Sequence, residues 1–101
     1  MDRITINAVV YRRDPFWVVQ CLEYDLVSFA EELADLPSAL AWQIQALVDY
    51  GQRAGRHPFA DFGKAPEKYW KMFEQAKRSP RPLDPGTVSV PEIDACLLLA
   101  A

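Results

Sequence analysis

Residues 16–32 read FWVVQCLEYDLVSFAEE, and the way this stretch divides decides the fold. Phe16 to Leu22 is dense in β-branched and aromatic side chains on both of its faces, as in a strand covered from two sides. Leu26 to Leu33 is extended again but carries Ser28, Glu31 and Glu32, which suits a strand with one side open to water. Between them, Cys21-Leu22-Glu23-Tyr24-Asp25 is either a reactive site or the corner that joins two strands.

Toward the amino terminus, Arg3 to Tyr11 alternates, with Ile4, Ile6, Ala8 and Val10 on one face and Thr5, Asn7, Val9 and Tyr11 on the other. This is the period of a strand. Arg12-Arg13-Asp14-Pro15 is a polar turn, so the first two strands form a hairpin and the third extends it into an antiparallel meander. Beyond Asp35 the period lengthens to that of a helix: Leu36, Leu40, Gln43 with Ile44, Leu47 with Val48, and Gly51 fall on one stripe,. The spacing predicts a helix from Asp35 to Ala54, with the Asp35 carboxylate capping its first turn and Gly55 as a left-handed stop. Pro37 is tolerated where the first amides lack partners. The stripe needs an apolar sheet face to cover, and the meander supplies one.

Most of the eight prolines fall from Pro58 onward, which predicts an irregular second half,. Arg56 to Ala65 reads as a connector that packs Phe59 and Phe62 inward. Pro66 opens a second helix to Arg78, in which Tyr69, Met72, Phe73 and Ala76 share a face and Trp70 flanks it, while Lys68, Lys71, Glu74 and Lys77 lie opposite,. Ser79 to Gly86 reads as an extended linker. Thr87–Val90 and Ile93–Leu99 form short strands whose pairing Pro91 limits to a sheet edge. The class expected is α+β: a three-stranded antiparallel sheet with a covering helix, then a second amphipathic helix and an extended or short-stranded tail. Residues 1–55 make the β-β-β-α unit, and 56–101 pack on the same core or on a second subunit, one domain overall.

Half of the residues are hydrophobic, which excludes a disordered chain,. No signal-peptide progression and no apolar run long enough to span a bilayer occurs, so the chain is expected in the cytoplasm and away from membranes. Two cysteines far apart suggest neither a disulfide framework nor a zinc site,. The net charge of −3 hides an asymmetry. Residues 1–50 hold three basic and eight acidic side chains, net −5, and residues 51–81 hold eight basic and three acidic, net +5. A basic arm on an acidic body can pair with itself, with a second subunit or with a nucleic acid backbone.

The stretch VVYRRDPFWVVQCLEYDLVSFAEELADLPSALAWQIQALV resembles the HicB-like domain of bacterial antitoxins and their orphan relatives. The likeness lies in the order of elements: an opening strand, a polar hairpin, an aromatic-led strand ending at a small residue and an acid, a third strand, and a helix begun by Asp35 and Leu36-Pro37-Ser38-Ala39-Leu40. The resemblance implies a β-β-β-α unit similar to a partial RNase H-like fold, assembly as homodimers or homotetramers, and binding of a small toxin-like protein. Residues 52–101 show neither a helix-turn-helix nor a ribbon-helix-helix, the modules by which such antitoxins hold DNA. A working antitoxin and an orphan relative both remain open.

Chemistry at the corner requires partners that the sequence does not supply. A nucleophilic Cys21 needs a base or a positive field, and the single histidine, His57, lies before Pro58 in the connector,. Glu23 and Asp25 offer hard oxygen ligands, but without a third acid at usable spacing they read as turn formers, Asp25 accepting local backbone bonds. A nuclease would cluster carboxylates on adjacent strands, yet Arg3 to Tyr11 carries no acid,. We therefore expect no catalytic, metal or cofactor site and no cofactor. Partner-binding residues are expected on the second helix, at Tyr69, Trp70, Phe73, Lys68 and Lys71, and at the sheet edge from Val27 to Glu32. The alternatives are a regulator that binds nucleic acid through residues 53–81 and, last, a hydrolase.

Overall fold

A computed structural model of the chain describes residues 3–78, 82–90 and 93–100; for residues 82–87 and 89 it describes the backbone alone. The meander is present: β1 (Ile4–Arg13), β2 (Phe16–Cys21) and β3 (Val27–Ala30) pair antiparallel in sequence. It is not the whole sheet. After two helices, β4 (Pro82–Val90) and β5 (Ile93–Leu99) return as a hairpin, and β5 lies parallel to β1. The result is a five-stranded mixed sheet in the order β3-β2-β1-β5-β4, which corrects the expected three-stranded antiparallel one.

The physical reason is the apolar run in β5. Ile93, Ala95 and Leu97 are buried in one core and Leu98 in the other, so this strand needs cover on both faces, which its place between the two cores provides,. The expectation that Pro91 restricts both tail strands to an edge fails for β5, which pairs from Ile4↔Ile93 to Val10↔Leu99 along β1. Pro91 itself, and Ser79 to Arg81 of the expected linker, lie outside the described residues, and Pro82 to Gly86, expected as linker, are backbone of β4, whose pairing with β5 is irregular between Pro82 and Thr87.

Helix α1 (Leu36–Ala54) covers one face of the sheet with Leu36, Leu40, Ile44 and Val48, against Ile6, Ala8, Val10, Val19 and Cys21. Each fully buried aliphatic side chain in this layer contributes roughly 1.5–3 kcal/mol. Gly55 ends the helix in the left-handed region at φ 69°. Its start differs from expectation: a short 3-10 turn, Leu33–Asp35, leads into it, and the Asp35 side chain makes no capping bond. Asp35 has already turned helical (φ −89°, ψ −9°), which removes the extended backbone a capping side chain requires,. The same turn stops β3 at Ala30, short of the predicted Leu33.

Helix α2 (Glu67–Arg78) covers the other face, with Phe73 and Ala76 against Val9, Leu22 and Leu98. It packs mainly on the β1–β5 part of that face. The outer strands β2 and β3 continue beyond its reach, and there the candidate site lies.

Candidate functional site

The corner from Cys21 to Asp25 is a structural joint. Beyond Cys21 the β1–β2 ladder loses its last carbonyl, because the Leu22 C=O accepts from Ala65 N–H of the connector at 2.9 Å. The Asn7 N–H that it leaves behind donates instead to Glu23 Oε1 at 2.7 Å, and Asn7 Nδ2 donates to Glu23 Oε2 at 2.8 Å. Asp25 N–H donates to Gly63 C=O at 2.7 Å, fastening the corner to the connector a second time. The Asp25 carboxylate accepts from Gln20 Nε2 at 2.8 Å rather than from the local backbone, which corrects the expected turn chemistry. Both carboxylates therefore have structural partners.

Cys21 is fully enclosed, and burial, with a smaller contribution from Glu23, pushes its thiol up to about 12. A thiol so raised supplies no thiolate near neutral pH. His57 accepts from Phe59 N–H through Nδ1 at 3.1 Å and stands against Tyr24 and Phe59 in an aromatic cluster that closes the connector. Among the described residues no three His, Cys, Asp or Glu side chains gather to hold a metal ion. No helix among them is long and apolar enough to cross a membrane.

The predicted residues of α2 divide. Phe73 is buried against its own sheet, and Trp70 is half-buried with Nε1 donating to Ala65 C=O at 3.1 Å. Lys68 and Lys71 are exposed, and the Lys68 ammonium stands 4.9 Å from the Tyr69 ring centre. Tyr69 is the one that reaches across to the uncovered strands. Its ring stacks on Tyr11 at 5.9 Å, forming the wall of a groove of about 410 Å³. Burial, then a hydrogen bond with Tyr69, pushes the Tyr11 hydroxyl up to about 12.

The floor of that groove is Val18 and Gln20 of β2, and its far side is Val27 and Phe29 of β3 with Phe16. Phe29 is 62% exposed and Val27 41%, unusual for apolar side chains on a sheet. Phe29 meets Phe16 edge-on at 5.2 Å. Arg13 and Asp14 line the end of the groove at the hairpin. Of the residues expected from the sequence, the structure brings Tyr69 and the Val27–Phe29 part of the Val27–Glu32 edge to one groove.

The backbone of β3 adds to this surface. Cys21 N–H donates to Leu26 C=O at 2.9 Å, and the register runs Val19↔Ser28 and Trp17↔Ala30. In the antiparallel alternation those pairs carry the bonds to β2, so the peptide groups of Val27 and Phe29 face away from the sheet. The edge thus presents free main-chain donors and acceptors beside two exposed apolar side chains.

No family model, no curated protein and no solved structure matches the chain.

Proposed function

We propose that this chain is a non-enzymatic interaction protein of HicB-like type, antitoxin-like or orphan, that self-associates and holds a small protein partner by adding its strand to β3. The observation that carries the reading is the open edge of β3, with Val27 and Phe29 exposed beside an apolar groove of about 410 Å³. Strand addition uses main-chain hydrogen bonds for affinity and alternate side chains in pockets for selectivity, and both elements are available here. Charge selects the partner. Asp25, Glu31 and Glu32 flank the strand and are exposed. Two β3 strands paired antiparallel about Ser28 would set Asp25 against Glu31 at each end, so the edge repels its own copy and favours a strand flanked by lysine or arginine.

The test is co-expression with the products of the neighbouring genes, followed by co-purification, with a small basic protein the expected partner. The wild-type chain should retain the partner and Phe29→Asp should release it, with the melting temperature of the variant unchanged. Failure of the wild-type chain to retain any such protein would remove the partner-binding reading.

A further inference from the structure

The outer face of α1 carries a second exposed surface that the groove does not use. Trp42 is 78% exposed and Tyr50 57%, both directed away from the sheet. They stand eight residues apart, about 12 Å along the axis, with exposed Ala46 midway between them,. Two aromatics placed symmetrically about a small residue form a self-complementary patch. If a second α1 lies antiparallel with Ala46 on the two-fold axis, Trp42 of each copy meets Tyr50 of the other and the two Ala46 side chains allow close approach. A two-fold interface demands this reciprocity, in which residue i meets j and j meets i.

Two of the charges on the same face obey the same symmetry, while exposed Asp49, which accepts from Gln45 Nε2, falls opposite Gln43 of the second copy. Asp35 lies at one end of the face and Arg53 at the other, and among the described residues neither makes an ion pair within the chain. In the antiparallel arrangement Arg53 falls opposite Ala39 of the second copy, one helical turn from its Asp35. The acidic start of each α1 thus meets the basic end of the other, twice. The exposed parts of four aromatic side chains, each burying ~150–250 Å² when wholly covered, supply roughly a third of a standard interface of ~1,600 Å²,.

The geometry points to the outer face of α1 as the self-association surface of this protein, its occupant being a second copy of the same helix. This rests on the reading of the chain as self-associating, and it is separate from the partner edge on β3. The test is the mass of the full chain in solution by light scattering, at about 50 μM and again about 100-fold more dilute. The wild type should have twice the chain mass at the higher concentration and dissociate on dilution. Trp42→Ala should be monomeric at both, with an unchanged circular dichroism spectrum. Arg53→Glu should weaken the dimer at least about 10-fold, and adding Asp35→Arg to it should restore the affinity. Phe29→Asp should remain dimeric. A dimer indifferent to Trp42→Ala and Arg53→Glu would overturn the α1 assignment while leaving self-association standing; a strictly monomeric wild type would overturn both.

Discussion

Glu23 completes the backbone pairing of Asn7: one carboxylate oxygen accepts the main-chain N–H at 2.7 Å and the other accepts the side-chain amide at 2.8 Å. A side chain here does the work of the missing carbonyl of a strand, which allows Leu22 to bond the connector instead. Glu23→Ala leaves a part-buried N–H and an amide without acceptors, so it should cost about 1–3 kcal/mol in urea unfolding. Glu23→Gln keeps one acceptor and should cost less. Equal stability of Glu23→Ala and the wild type would show that water replaces the carboxylate without penalty.

Gly51 gives a prediction of opposite sign to the usual helix rule. Glycine to alanine inside a helix ordinarily stabilises by roughly 0.5–1 kcal/mol. At Gly51 a Cβ would stand 2.7 Å from the Arg56 carbonyl oxygen and 3.2 Å from Pro58 Cα, all of it backbone, while Arg56 N–H donates to Gly51 C=O at 2.8 Å. The connector turns back tightly against the helix at this point. Gly51→Ala should therefore destabilise by about 1–3 kcal/mol, as overpacking does. A gain in melting temperature would show that the connector does not lie there.

These two joints show what the sequence could and could not reveal. The three strands of the meander, the place of the corner, the α1 stripe and the Gly55 stop are legible because each depends on local period or local backbone geometry, whereas the first half of β4, Pro82 to Gly86, reads as a linker. The parallel pairing of β5 with β1 was not, because strands about 90 residues apart are joined by no local signal. One sign was present: Ala95-Cys96-Leu97-Leu98-Leu99 is apolar without alternation, as a strand covered on both faces is,. Pro91, which favours a sheet edge, points the other way. At the candidate site, Tyr69 and the edge at Val27–Phe29 can each be named from the sequence, but their meeting depends on α2 packing mainly over β1 and β5. Trp42 escaped notice because an isolated tryptophan on a polar helix face has no pattern of its own; its symmetry with Tyr50 about Ala46 emerges only once the buried stripe fixes the register.

Alkaline pH should weaken the fold in a defined window. Burial raises Cys21 from 9.0 to about 12, and burial with the Tyr69 hydrogen bond raises Tyr11 from 10.0 to about 12. The folded pKa values lie above the unfolded ones, so both contributions are fully present below pH 9 and are lost as pH rises toward 12. In that window the unfolded chain has released protons that the folded chain retains. Urea midpoints should fall steadily over this range, and less steeply in Cys21→Ala. At pH 8 a thiol reagent should modify partly exposed Cys96 and leave Cys21 untouched in the native protein. Rapid native-state reaction at Cys21 would mean that the core it occupies is open.

If β3 receives a partner strand, backbone amide hydrogen exchange at Val27 and Phe29 must slow in the complex. Both amides face away from the sheet in the free protein and should exchange quickly. In the complex with the co-expressed small basic protein, both should become protected while the exposed face of α2 around Lys68 and Lys71 is unchanged. Unaltered exchange at Val27 and Phe29 in a stable complex, with protection appearing elsewhere, would contradict the account.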